Sequence, residues 1–322
     1  MAPRRPMGEH PASMLRPALP LLIALAAALC AALSACSGAA EPPPPAPDGA
    51  LRIVSFNAAY VRESKVERWR RRAPAFAEAL TALNPDLIAF QEMETFTGGH
   101  KSGLNRQLDA ALAALPGHAA AASGDPDVFP WTQPILYRTA RLEALDQGFF
   151  FLSDTPDTIY APGFAGGFPF FCSWARFRDR DSGRAFTAFN VHVDVNSGAA
   201  RDKSVALILD RMAQITGPGE PVILLGDFNA LPGFPSVRAF QDAGLELTPA
   251  SGPTYHFNMG LNLIPGPIDH IFLGEGLARA GAPFVLRGRF GGVLPSDHYP
   301  VGQDVRLTAG ASEGATSEGP SG

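Results

Sequence analysis

The stretch that decides the fold is "PVILLGDFNALPG", Pro221 to Gly233. It opens as an apolar run of the length and composition of a strand buried on both faces. It then turns polar at Gly226, Asp227, Phe228 and Asn229. Two readings compete. Asp and Asn after a strand commonly make a turn, because their short side chains bond backbone N–H groups two residues on. Alternatively, the strand carries a carboxylate and an amide into a polar pocket. The turn reading faces Asp227 away from other carboxylates; the pocket reading sets it among them.

The pattern repeats along the chain. "LRIVSFN" ends on Asn57, "PDLIAFQE" on Glu92, and "AFTAFNVHVD" on Asp194. Strand alternation predicts Asn190, His192 and Asp194 on one face. Two acid–His steps follow, Asp269-His270 and Asp297-His298. A single Asp after a strand is ordinary turn chemistry; four polar strand ends with two Asp-His steps are not. Carboxylates gathered at one sheet edge repel unless a cation neutralises them. A hard cation such as Mg²⁺ prefers oxygen ligands and keeps waters that a substrate phosphate can replace.

Between these points, "VERWRRRAPAFAEALTAL", "LNRQLDAALAAL" and "ARDKSVALILDRMAQI" read as helices. "QPILYR", "CSWARFRD", "IDHIFLG" and "DHYPVGQDVRL" read as strands. Many strands with few helices to cover them predict two sheets packed face to face with helices outside. "RWRRR", Arg68 to Arg72, reads as a solvated helix face, with contact to phosphates as the alternative.

The ends are different in kind. Arg4, Arg5 and Arg16 precede the apolar run Ala18 to Leu33, a basic region and a short apolar region of the signal-peptide type. Residues 1–35 are therefore expected to be removed. The run closes on "LSAC", which resembles the lipobox of bacterial lipoproteins, and that resemblance implies a lipidated Cys36. An ordinary cleaved signal peptide is the alternative. The resulting expectation is an exported protein anchored in a membrane through Cys36. Ser37 in place of an Asp directs it to the outer membrane, facing periplasm or cell surface. Residues 36–50 are a Pro-rich spacer and residues 308–322 a polar, low-complexity tail. The folded domain is predicted over 51–307 and is expected to act as a monomer. Cys172 then has no disulfide partner and reads as a buried small hydrophobe.

Across 322 residues the chain is 46% hydrophobic and carries a net charge of −5, so it has a sizeable core and is not broadly disordered. An acidic chain is poorly suited to tight non-specific nucleic-acid binding. A nuclease that draws local positive charge from a metal remains open.

In order, "SFN", "DLIAFQE", "NVHVD", "GDFN", "IDHIF" and "SDHYP" resemble the motifs of the endonuclease/exonuclease/phosphatase superfamily, in a bacterial lipoprotein form. The resemblance implies a four-layer α/β sandwich of two packed mixed β-sheets flanked by helices. It also implies a hydrolase that breaks a phosphodiester or phosphomonoester by in-line attack of an activated water, with Mg²⁺ or Mn²⁺. Position by position, it implies Glu92 as metal ligand with Asn57 beside it and Asp297 near the metal. Asp227 and Asn229 match the pair that orients water and contacts phosphate. His192 matches a phosphate-contacting His, and Asp269 with His298 an Asp–His pair. The substrate stays open between nucleic acid and a lipid, inositol or other small phosphate ester. A lipid-anchored binding protein with a degenerate site is the reading outside enzymes. Its support is Trp131, in "FPWTQPI", where relatives carry a Glu that supports the His of "N-x-H". The apolar loop "PGFAGGFPFF", Pro162 to Phe171, inclines towards a substrate near a membrane.

Overall fold

A computed structural model describes residues 38–97, 100–101, 104–258 and 260–308. The chain runs β1 (Leu51–Asn57), β2 (Val61–Arg62), a 3₁₀ turn (Glu63–Lys65), α1 (Val66–Leu83), β3 (Leu87–Gln91), β4 (Thr95–Thr97), β5 (His100–Lys101) and α2 (Arg106–Ala114). It continues through β6 (His118–Ala121), β7 (Ile135–Arg138), β8 (Leu142–Phe151), β9 (Phe171–Asp179), β10 (Ala185–His192), α3 (Gly198–Ile215) and β11 (Val222–Asp227). It ends with α4 (Pro235–Asp242), β12 (Glu246–Leu247), β13 (Asp269–Leu273), β14 (Leu277–Arg279), β15 (Phe284–Val285) and β16 (Val301–Leu307).

These strands make two mixed sheets and one small one. The first has the order β14-β16-β1-β3-β7-β6, with β15 also on β16; the second has β12-β13-β11-β10-β9-β8. Each contains one parallel pair, β1 with β3 and β10 with β11, among antiparallel neighbours. The small sheet is β2-β4-β5.

The apolar pattern explains the layering. Every residue of β1, β3, β11 and β13 is buried, as strands covered on both faces must be. One face of each sheet meets the other sheet: Ile53, Leu87 and Ile135 lie in one cluster with Phe177, Ala188, Ile223 and Ile271. The outer face of the first sheet takes α1 and α2, through Phe76, Leu80, Leu83 and Leu108 against Val54, Phe56, Ile88 and Phe90. The outer face of the second takes α3 and α4, through Ile208, Met212, Val237 and Phe240 against Phe189, Leu224 and Phe272. The result is two mixed β-sheets with flanking helices, an α/β sandwich. Cys172 is a free, fully buried thiol inside the third cluster, and burial pushes its pKa well up.

The inter-sheet layer is not wholly apolar. Gln91 Nε2 donates to Asn190 Oδ1 at 2.7 Å, and Asn190 Nδ2 donates to the carbonyls of Phe90 (2.8 Å) and Gln133 (3.1 Å). Gln133 Nε2 donates to Phe171 O at 2.9 Å, and Ser173 Oγ to Gln133 O at 2.6 Å. These buried amides tie the two sheets together beneath their common edge. Asn190 lies on the inner face of β10 with Ala188 and His192, opposite Phe189 and Val191, as alternation predicts, and makes the sheet-to-sheet contact one step below His192. Asp194 lies beyond the end of β10 and accepts from the Asn196 and Ser197 N–H groups, both at 2.7 Å, in a turn.

Candidate active site

The topology determines which residues meet. A parallel pair sends both C-terminal ends to the same edge, so β1 and β3 deliver Asn57 and Glu92 together, and β10 and β11 deliver His192 and Asp227 together. β13 runs antiparallel to β11, so its first residue, Asp269, pairs with Asp227. β16 runs antiparallel to β1, so the loop before it returns Asp297 and His298 to that same edge. Ser296 Oγ secures the loop by donating to Asn57 O at 2.7 Å.

Local conformations serve this convergence. Gly226 has φ 150°, and a Cβ there would lie 1.9 Å from Val191 O, so only glycine lets β11 approach β10 immediately before Asp227. Glu92 and Asn229 both adopt left-handed φ, 54° and 45°. Such conformations are uncommon for non-glycine residues and recur at functional sites. Arg72 donates to the carbonyls of Ala58, Ala59 (2.7 Å) and Pro295 (3.0 Å), clamping the loops that follow Asn57 and precede His298. Its desolvation lowers its pKa to about 10, against the opposing pull of Asp297 and Glu92.

Asp227 occupies the centre. Its Oδ1 accepts from Asn229 N–H at 2.9 Å. Its Oδ2 accepts from Asn57 Nδ2 at 3.0 Å and stands 3.8 Å from His192 Nε2 and 3.7 Å from His298 Nε2. One oxygen thus makes the turn bond and the other faces two imidazoles. Burial, then the neighbouring Asp269, raises the pKa of Asp227, with both histidines opposing. His298 Nδ1 lies 2.9 Å from Asp269 Oδ2, which assigns its N–H to that nitrogen and turns Nε2 towards Asp227. Burial disfavours charge on His298, but Asp269 and Asp227 outweigh it and hold the pKa up at about 10.

Glu92 accepts from Asn57 Nδ2 at 3.2 Å and from Tyr60 N–H at 3.3 Å, with Oε1 4.0 Å from His192 Nε2. Asn57 turns its Nδ2 to both carboxylates, while its Oδ1 accepts from Ala59 N–H at 3.0 Å. Asn229 donates through Nδ2 to Val193 O at 2.9 Å. Asp297 accepts from Asn258 Nδ2 at 3.1 Å. Glu92, His192, Asp227, Asn229, Asp297 and His298 line one cavity of about 1230 Å³; buried Asp269 backs it from behind His298.

An aromatic wall rises from this floor. The Phe170 ring meets His192 edge-on at 5.0 Å, and Tyr255 lies 4.7 Å from His298. Tyr60, Phe168 and Phe257 also line the cavity and are exposed. Phe168 and Phe170 belong to the apolar loop noted in the sequence. Sequence reading did not single out Glu94, which lines the same cavity. Desolvation and the nearby Glu92 raise its pKa to about 8. Its place two residues beyond Glu92 was the available signal.

The donor set suits a hard divalent cation. Asp227, Asp269 and His298 bring ligand atoms within 4.8 Å of one another. Asp269 Oδ1 is buried without a hydrogen-bond partner, a costly arrangement that a cation relieves. Glu92 faces the same cavity with both oxygens only lightly engaged.

Two further buried histidines, His270 and His256, lie outside the lining of this cavity. His270 lies 2.8 Å from Ala230 O through Nε2, beside Phe228. His256 stacks on Tyr299 at 4.2 Å with both ring nitrogens unpartnered. Burial lowers both pKa values to about 4. Cys36 and the region 1–35 lie outside the described residues, as does the tail from 309 onward.

A model of the Endonuclease/Exonuclease/phosphatase family matches residues 54–298. Among solved structures, a protein of that family from Bacteroides thetaiotaomicron is 27% identical, with a TM-score of 0.68 over 80% of this chain and 97% of that one. The mannosyl-6-phosphatase Bt3783 of the same organism is also 27% identical, with a TM-score of 0.67 over 80% of this chain and 99% of its own. An uncharacterized protein of Acanthamoeba polyphaga mimivirus is 26% identical over 186 residues, a match that spans 56% of this chain and 66% of that protein.

Proposed function

The chain belongs to the endonuclease/exonuclease/phosphatase family and is a hydrolase of phosphoester bonds, and from that premise we propose that it removes phosphate from a small organic phosphate ester. The observation that carries this is the aromatic wall over a polar floor. Tyr60, Phe168, Phe170, Tyr255 and Phe257 surround a cavity that ends on Asp227 and two imidazoles. Its volume of about 1230 Å³ is near the scale of small-molecule sites, roughly 300–1,000 Å³. Rings of this kind hold a sugar or other compact organic group by its faces while a phosphate reaches the floor. The similarity to a mannosyl-6-phosphatase supports a sugar phosphate as the first substrate to try.

The residues have distinct tasks in this reading. Asp227 Oδ2 takes a proton from the attacking water, a role its raised pKa suits. Asn57 Nδ2 and the Asn229 N–H hold that carboxylate in place. His298, fixed by Asp269, presents Nε2 as a charged donor to a phosphoryl oxygen, and His192 presents a second Nε2 beside it. Mg²⁺ or Mn²⁺ would be held by Glu92 in the same cavity, which leaves Asp227 Oδ2 and His298 Nε2 to these tasks. When bound it neutralises charge that develops on the phosphoryl group. Asp297 and Asn57 steady the surrounding loops.

The same reading includes export and attachment to the outer membrane through lipid on Cys36, supported by "LSAC" after a basic and an apolar segment. Release of phosphate from mannose 6-phosphate, of p-nitrophenol from bis(p-nitrophenyl) phosphate, of nucleotides from single-stranded DNA and RNA, and of phosphocholine from sphingomyelin vesicles, each with Mg²⁺, tests the substrate. The monoester is expected to give the highest kcat/KM. Higher kcat/KM on a nucleic acid or on vesicles overturns the small-ester reading.

A further inference from the structure

A second cavity, of about 600 Å³, adjoins the active site and is lined by cations. Arg62, Lys65, Arg68, Arg71 and Arg289 all line it. It shares Tyr60, Arg62 and Asp297 with the catalytic cavity, so the two meet at that junction. Arg62 lies over the Tyr60 ring at 5.2 Å and donates to its hydroxyl at 2.6 Å, which places one guanidinium at the passage between them.

The run Arg68–Arg72 divides by function here. Arg72 is the clamp already described, and Arg70 pairs with Glu67 on the exposed side of α1. Arg68 and Arg71 instead face the cavity, one helical turn apart as i,i+3 neighbours. Among the described residues no carboxylate comes within 4.0 Å of the side-chain nitrogens of Arg62, Lys65, Arg68, Arg71 or Arg289. The one acidic residue on the wall, Asp297, accepts from Asn258. In a chain of net charge −5, five cations without a carboxylate partner around one concavity concentrate positive potential there and favour an anion.

We propose that this cavity is an anion subsite that binds a second, non-scissile phosphate of the substrate, so that the enzyme prefers small esters carrying two phosphate groups. The proposal rests on the phosphoesterase reading above and narrows its substrate class. While one phosphate sits on the floor between Asp227 and the imidazoles, the organic body lies along the aromatic wall. The second phosphate passes Tyr60 and Arg62 to reach Lys65, Arg68, Arg71 and Arg289. Guanidinium groups suit this task because their planar forks pair two N–H donors with two phosphate oxygens.

The test separates binding from turnover. Calorimetry on full-length Asp227→Asn protein with Mg²⁺ compares fructose 1,6-bisphosphate with fructose 6-phosphate. The bisphosphate is expected to bind at least about tenfold more tightly, the scale of one or two charge-assisted hydrogen bonds. Adding Arg68→Gln and Arg71→Gln is expected to bring the two affinities to within about twofold. These side chains are exposed, and circular dichroism checks that the variant folds. Equal affinities in the parent, no detectable binding of the bisphosphate, or a preference unchanged by the Gln pair each overturns the subsite. Wild-type turnover of either ester is read separately: phosphate release without bisphosphate preference leaves the phosphoesterase standing and removes only this proposal.

Discussion

Asp227 and Asp269 are direct register partners across β11 and β13, which holds two carboxylates side by side at the end of a buried sheet. Asp269 commits one oxygen to His298 Nδ1 and leaves the other unpartnered; Asp227 aims Oδ2 at both imidazoles. Two buried acids so close are tolerable only with positive charge between or beside them. His298 supplies part of it.

This gives Asp269→Asn a defined signature. His298 is held above its unfolded value of about 6.5, so it stabilises the fold fully below that pH. The contribution fades as pH rises towards about 10, where folded His298 loses its proton. In chelator, wild-type stability is expected to fall between pH 6.5 and 10, and Asp269→Asn to flatten that fall while lowering activity. An NMR titration of His298 unchanged by Asp269→Asn contradicts the coupling.

Acid acts through other residues. His256 stays neutral in the folded chain down to about pH 4 and charges near 6.5 when unfolded, so its contribution is present above 6.5 and lost as pH falls through that window. The shift corresponds to about 3 kcal/mol. His256→Phe keeps the stack on Tyr299 and abandons no hydrogen bond of the ring. Urea unfolding is expected to show equal or greater stability at pH 7 and a shallower loss towards pH 4. A large loss at pH 7 means that the ring nitrogens matter.

Much of this site was legible in the sequence because its residues stand at strand ends, where an apolar run breaks into Asn, Glu or Asp. The layering followed from many strands with few helices to cover them. Asp194 lies past the end of β10 and turns its carboxylate to the Asn196 and Ser197 N–H groups, yet it lines the same cavity as His192. Strand β8 lacked a clean period: Glu143 to Asp146 are exposed or half-buried while Phe150 and Phe151 are buried, and a register shift interrupts its pairing. Helix α4 has only eight residues and begins at Pro235, too short for periodicity to reveal. The division of Arg68–Arg72 into clamp, ion pair and cavity wall depends on which helix face meets which loop, and no local pattern encodes that.

Metal removal and Glu92→Gln are expected to act alike. Excess chelator should abolish turnover. The Gln variant should need more Mg²⁺ or Mn²⁺ and lose roughly 100-fold in rate, on the several-kcal/mol scale of metal assistance. A metal titration checks both, and full activity in chelator or normal kinetics in the variant contradicts the proposed role of Glu92.

Attachment is tested at Cys36. The Cys36→Ala chain is expected to appear as a soluble or uncleaved precursor on fractionation, since stable anchoring requires several acyl chains. Fully processed, membrane-bound Cys36→Ala protein rules out lipidation at that residue.

The turn bond of Asp227 and its place between His192 and His298 are separated by one comparison: mannose 6-phosphate hydrolysis with Mg²⁺ by the wild type and by Asp227→Asn, each with its urea midpoint. Loss of a turn cap alone costs ~1 kcal/mol of folding and little rate. A proton-accepting carboxylate costs roughly 10²–10⁴-fold in rate with folding nearly intact. The expected result is a folded Asp227→Asn protein within about 1 kcal/mol of wild type and at least about 100-fold slower. An Asp227→Asn enzyme that turns over at the wild-type rate, whatever its stability, leaves "GDFN" as a turn and contradicts the active site drawn around it.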